Sequence, residues 1–179
     1  MIELKLHHVE ELEKLFAKTP KEVPILMARA INRSADTARA AASQEIRAKY
    51  IIRASDVKSA IKINKATAGK LSAQVRASGP VIPLMKFDVT PKKPNDAIVR
   101  ARVKKGGSRK PVQHGFIVSA YNNVYARVGD SRYPIKGAYG PSVAQMMGED
   151  SIIKNIATRA QTTLDNRMEH EMGRLLYGG

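Results

Sequence analysis

Two stretches of the chain repeat apolar residues at helical spacing, and the segment between them alternates instead. Met27, Ile31, Ala35, Ala38, Ala42 and Ile46 follow steps of three and four, which places them on one stripe of a helix. Arg29, Asn32, Arg33, Asp36, Arg39, Ser43 and Arg47 lie largely off it, and neither Gly nor Pro intervenes from Ile25 to Tyr50. Upstream, Thr19 can cap, Pro20 suits the first helical position and Glu22 can close a capping box. The pattern predicts a helix over 20–50, about 45 Å long at about 1.5 Å per residue. Pro24 should bend it or delay its start. Ile152, Ile156, Ala160, Leu164, Met168, Met172 and Leu176 recur at i+4, and Leu175 widens their stripe. Glu149 and Asp150 favour a helix start there, so a second long helix is predicted over 150–176.

Between the helices the period is two. Residues 61–66 and 71–77 alternate around Gly69 and predict a hairpin. Ser55 is a candidate cap for a short helix over 56–60. Gly79, Pro80, Pro83, Pro91 and Pro94 make 79–96 irregular, with Leu84, Met85 and Phe87 folded onto the body. Strands are expected over 97–103, 116–120 and 124–128, with turns at 121–123 and 129–131, and 132–138 extended because Pro134 disfavours helix before it. Lys104 to Pro111 reads as a flexible basic loop. The stretch from Ser131 to Gly148 is Gly/Pro punctuation, leading into a short helix over 141–147 with Gly140 as its cap and Pro141 in its first turn. At the N-terminus, 2–6 alternates as a strand and 8–18 has helical spacing. The fold class is α+β: a curved antiparallel sheet over about 61–138 packed with the two long amphipathic helices. The expected organisation is one domain over 1–179, with 1–18 as an N-terminal arm.

Charge adds a direction to this picture. The 179 residues carry 31 Lys/Arg against 16 Asp/Glu. From Val23 to Lys136 the count is 23 against 6, so the excess lies in the middle of the chain. Such a body implies contact with a polyanion or an acidic protein neighbour, or a solubilising surface. There is no Cys, which excludes disulfides and thiolate metal sites. No apolar run is long enough to span a membrane, and the N-terminus does not read as a signal peptide.

Catalytic patterns are missing. His7 and His8 are adjacent, His114 follows the basic loop, and His170 sits between Glu169 and Glu171; none has metal-ligand spacing. Gly106-Gly107-Ser108 lacks the Gly-Lys-Ser/Thr continuation of a phosphate-binding loop. The central carboxylates Asp36, Glu45, Asp56, Asp88, Asp96 and Asp130 are scattered. The sequence reads as a non-enzyme without metal or cofactor. Its strongest signal is basic: Lys92, Lys93, Arg100, Arg102, Lys104, Lys105, Arg109 and Lys110 stand against a lone Asp96. Arg100 and Arg102 would share one strand face. That layout suits backbone-phosphate contact without base readout, and no aromatic ladder accompanies it for stacking on single strands.

The order of several segments resembles a known family. Ala30-Ile-Asn-Arg-Ser-Ala-Asp-Thr-Ala-Arg-Ala-Ala-Ala-Ser-Gln-Glu-Ile-Arg47 is followed by Ile52-Arg-Ala-Ser-Asp-Val57, then Arg132-x-Pro-Ile, Gly140-Pro-Ser-Val-Ala-Gln-Met146 and a long C-terminal helix. Over about 25–175 this is similar to the minor tail protein Z family of lambda-like phages and prophages, whose members often carry Pro where Ala144 stands. The resemblance implies a structural virion protein that completes the head-proximal end of the tail, joins it to the head and accommodates the DNA end. It implies tail and neck proteins as partners, a ring-forming homo-oligomer, often sixfold in such necks, and no catalytic residues. Localisation would be the virion tail, and the host cytoplasm during assembly. Within it, residues 92–110 are expected to meet duplex DNA transiently and without sequence preference. Tyr139, Gly140, Pro141, Ser142, Val143, Gln145 and Met146 are expected to contact a neighbouring subunit. The competing reading is a free, non-specific double-stranded-DNA-binding protein.

Overall fold

The computed structural model describes residues 21–177, together with Leu4 and Ala17, and side chains through Leu175. The strand expected over 2–6, the helix over 8–18 and the cap at Thr19 lie outside the described residues. The chain is α+β. Helix α1 runs from Glu22 to Lys49, α2 from Ala54 to Ala60, α3 from Val143 to Met147 and α4 from Asp150 to Tyr177. Ten short strands, β1 to β10, lie between α2 and α3. Pro24 does not delay α1, which begins two residues before it. It falls within the first turn, where backbone N–H groups have no intrahelical acceptor. Contacts divide the chain into two compact units: 1–45, 61–77 and 147–179 in the first, and 46–60 and 78–146 in the second.

In the first unit, α1 as far as Glu45 packs antiparallel on α4. The apolar stripes of the two helices meet, and that of α1 takes in Val23 and Ala30 beyond the residues its spacing marked. Val23, Met27 and Ala30 bury against Leu164, Met168 and Met172, with Leu4, Ile31, Leu71 and Leu175 half-buried around them. Each large side chain so buried contributes roughly 1.5–3 kcal/mol. Farther along, Ala35, Ala38, Ala41 and Ala42 of α1 and Ala160 of α4 are buried, and their small size lets the backbones approach. At that approach Ser34 Oγ donates to the Ala160 carbonyl at 2.6 Å, which satisfies a hydroxyl that is only 1 % exposed. Polar clasps close the other end: Asn155 Nδ2 to Glu45 Oε2 at 2.7 Å, and Arg159 Nη1 to Gln44 Oε1 at 2.6 Å.

Strands β1 (Ile61–Asn64) and β2 (Gln74–Ala77) form the predicted hairpin of this unit, with Ile61 opposite Ala77 and Asn64 opposite Gln74. Thr67 and Lys70 exchange backbone hydrogen bonds at its tip, each 3.0 Å. The Asn32 side chain ties the hairpin to α1. Asn32 Oδ1 accepts from the Ala66 N–H at 2.7 Å, and its Nδ2 donates to the Ala66 carbonyl at 2.9 Å. The amide thus serves Ala66 as a neighbouring strand would.

The second unit is built from small antiparallel sheets. Among the described residues the strands do not merge into one curved sheet. β3 (Ile82–Pro83) pairs with β10 (Tyr139–Gly140). β4 (Asp88–Thr90), β5 (Arg100–Arg102) and β6 (Lys110–Pro111) make a second sheet. β7 (Gly115–Val118), β8 (Asn123–Arg127) and β9 (Ile135–Gly137) make a third. β3, a 3₁₀ turn over Leu84–Lys86 and β4 occupy the stretch that its prolines mark as irregular. Pro83 sits on a two-residue strand and Pro91 follows β4, positions that leave the ladder bonds unaffected. Leu84 and Phe87 are buried as expected, and Met85 is half-buried. The core also takes in Ile46, Tyr50, Val57, Val89, Val99, Val124 and Met146. Ser55 falls inside α2 rather than capping it; the Arg53 carbonyl accepts the first bond, from the Val57 N–H at 3.3 Å.

Candidate nucleic-acid interface

The basic strand–loop–strand is organised around an acid. Register places Asp88 opposite Arg102, and Thr90 opposite Arg100. Arg102 Nε reaches Asp88 Oδ2 at 3.1 Å, and Arg102 Nη2 lies 3.0 Å from the same oxygen. Arg109 comes back from the loop and binds in two-pronged fashion, Nε to Oδ2 at 3.0 Å and Nη2 to Oδ1 at 2.9 Å. One carboxylate therefore holds two guanidinia, and the fork of Arg109 matches it geometrically. The Arg109 hydrogen bond is the main cause of a lowered Asp88 pKa, assisted by Arg102 and opposed by desolvation. The same bond raises the pKa of Arg109.

The loop between β5 and β6 is pinned rather than free. The Ile51 N–H donates to the Val103 carbonyl at 2.9 Å, and the Lys105 N–H to the Lys49 carbonyl at 2.8 Å. Lys104 forms an isolated bridge with Tyr50, and its Nζ stands 5.3 Å over the Tyr50 ring. Arg102 Nη1 adds a 3.4 Å bond to the Gly107 carbonyl. The glycine pair and the charges suggested flexibility, and nothing local marks the carbonyls at the end of α1 as acceptors for this loop.

The eight basic residues singled out from the sequence therefore divide. Arg100 and Arg102 share a face of β5, as the alternation requires. Arg102 and Arg109 are engaged by Asp88. Lys92 Nζ donates to the Phe87 carbonyl at 3.4 Å. Lys93, Arg100, Lys105 and Lys110 are exposed. The surrounding unit is strongly basic: residues 46–60 and 78–146 hold sixteen Lys/Arg against Asp56, Asp88, Asp96 and Asp130. The first unit holds fifteen Lys/Arg against twelve Asp/Glu. His114 is an exposed turn residue with φ 49°, and its carbonyl accepts from the Arg127 N–H at 3.3 Å. Among the described residues no three His, Cys, Asp or Glu side chains converge as metal ligands, and no helix is long and apolar enough to cross a membrane.

The Gly/Pro stretch before α4 is mostly interior. Gly140 is a β10 residue paired with Ile82, not a helix cap. Its φ is ordinary, but a Cβ there would stand 2.5 Å from Phe87 Cε2. The cap of α3 is Ser142. Its Oγ accepts from the Gln145 N–H at 3.2 Å while Gln145 Oε1 accepts from the Ser142 N–H at 2.8 Å, a reciprocal capping box. The Ser-x-x-Gln signal is present in the sequence and was overshadowed by Gly140 and Pro141. Gly140, Ser142, Val143 and Met146 are buried and Pro141 is half-buried; Tyr139 and Gln145 are exposed.

With this geometry in place, comparison with known proteins gives one match. The family model described as "Prophage minor tail protein Z (GPZ)" matches residues 7–177. No curated protein and no solved structure matches the chain.

Proposed function

The chain belongs to the prophage minor tail protein Z family, a family of phage tail proteins, and from that premise we propose that it completes the head-proximal end of the tail. In this reading it is a structural subunit that joins tail to head and accommodates the end of the DNA. The observation that carries the DNA part is the charge of the second unit, sixteen Lys/Arg against four Asp, which is costly by self-repulsion unless a polyanion meets it. Lys92, Lys93, Arg100, Lys104, Lys105 and Lys110 supply the phosphate contacts. Arg102 and Arg109 act differently: bound to Asp88, they hold the loop in shape. Contacts of this kind are sequence-independent and individually weak, which suits a surface past which DNA must move during ejection.

The same reading has copies of the chain forming a ring, with Tyr139 and Gln145 as the members of their stretch available to a neighbour. Tyr139 is 51 % exposed, and a tyrosine so placed is a suitable interface anchor. A phage lacking the protein is expected to build heads and tails yet give few infectious particles, and negative-stain images should show unjoined heads and tails. Missing tail tubes would move the role to an earlier step. Stoichiometric duplex binding by an isolated monomer at physiological salt, with normal joining in its absence, would favour a free DNA-binding protein.

A further inference from the structure

We infer that the outward face of the β1–β2 hairpin is a second phosphate-contact surface, taking the sugar–phosphate backbone of duplex DNA. The argument begins with register. Ile61, Ile63, Val75 and Ala77 point inward as buried or half-buried residues, so Lys62, Asn64, Gln74 and Arg76 share the exposed face. Because side-chain direction has a period of two, the apolar face fixes this arrangement. Lys62 stands directly opposite Arg76, and Asn64 directly opposite Gln74. The Ser78 N–H donates to the Ala60 carbonyl, so by alternation Lys62 and Arg76 form a hydrogen-bonded pair, with Cα atoms about 5.5 Å apart.

Two cations directly opposite each other on a sheet destabilise it. A Glu at either position would have removed that cost. Among the described residues neither Lys62 nor Arg76 has an acidic partner, and residues 61–77 contain no Asp or Glu at all. At the hairpin tip Lys65 meets Asp36 only loosely, at 3.9 Å, and Lys70 is exposed. The contrast with the β4–β5–β6 sheet is informative: there Asp88 occupies two guanidinia, whereas Lys62 and Arg76 meet no acid among the described residues. An anionic oxygen between Lys62 and Arg76 would turn their repulsion into shared attraction. The amides of Asn64 and Gln74, one row away along the strands, can donate to the same backbone. The like-charged Lys62–Arg76 pair calls for an anion rather than a base edge, so the contact is to phosphate and sugar.

This inference extends the DNA part of the reading above but stands on different residues. The test is a salt series of duplex binding by the full chain, read by fluorescence anisotropy with a labelled duplex. The double variant K62Q/R76Q should lower the slope of log K against log salt by about 1.8, at about 0.9 for each phosphate no longer neutralised. Its Tm should hold or rise, since the like-charge pair is gone. K62E, which places an acid opposite Arg76, should raise Tm further and weaken duplex binding more. A rise in Tm with an unchanged salt slope would overturn the inference and leave the pair without a ligand, as would failure of the wild-type chain to bind duplex even at low salt. A parallel K93Q/K105Q/K110Q variant separates the two surfaces: a slope lowered only there removes the hairpin and keeps the basic loop, and the reverse result does the opposite. The tail role is read separately from phage joining.

Discussion

Gly140 and Phe87 are in direct contact, and the contact explains the glycine. A Cβ on Gly140 would lie 2.5 Å from the Phe87 ring, which is buried. Glycine is needed there for close approach, not for left-handed backbone. The pairing of β10 with β3 brings the two together, and it rests on Gly140 opposite Ile82 and Tyr139 opposite Pro83.

Gly140→Ala should therefore destabilise the fold by about 1–3 kcal/mol through overpacking, seen as a lower urea midpoint. Adding Phe87→Leu should make the double variant less unstable than the sum of the singles, because the clashing ring atoms are gone. Strict additivity would show that the ring is not the cause.

Gln145 serves its own helix. Gln145→Ala and Ser142→Ala should each cost about 1 kcal/mol, with the pair clearly less than additive because they break one capping box. Gln145→Glu keeps the box, since a carboxylate can accept the same N–H. A loss of head–tail joining in Gln145→Glu at normal Tm would then report a neighbour contact.

Asp88 makes stability depend on pH. Its folded pKa lies below the ordinary value of 3.8, so the stabilisation is present above that value and is lost as pH falls through the lower, folded pKa. Asp88→Asn should lower Tm at neutral pH and flatten the dependence of Tm on pH in the acid limb below about pH 4. An equally steep acid limb in the variant would assign that limb to other carboxylates. Loss of the clamp should also free the 104–109 loop, read as faster amide exchange there.

Asn32 holds the hairpin onto α1. Asn32→Leu removes both hydrogen bonds to Ala66 and should cost about 1–3 kcal/mol. Asn32→Asp keeps an acceptor for the Ala66 N–H but loses the donor to its carbonyl, so it should fall between Leu and wild type. If amide exchange at Ala66 is unchanged in Asn32→Leu, the hairpin is held by its apolar face alone.

Reading the chain alone recovered what depends on neighbours along it. Both long helices follow from the spacing of Met27, Ile31, Ala35 and of Ile152, Ile156, Ala160. The hairpin follows from alternation around Gly69, and the shared face of Arg100 and Arg102 from the two-residue period of a strand. The concentration of charge in the middle of the chain was also legible by counting. The order of several segments suggested the family, with Arg132–Met146 as the most specific of them.

Tertiary structure decided which groups meet. Asp88 looked like one more scattered acid; register with Arg102 and the return of the loop made it the holder of two arginines, so two of the eight basic candidates became internal partners. Gly140, Ser142, Val143 and Met146 looked available to a neighbour and are buried by contacts such as that with Phe87. Asn32 lay on the polar side of a helix and became a strand-like partner for Ala66. The reason is common to all three cases. Propensity, capping and periodicity act over a few residues and leave a trace in local spacing. A hydrogen bond between residues 34 apart, or the ring of Phe87 after a 3₁₀ turn against a glycine on β10, depends on chain paths that no local spacing encodes.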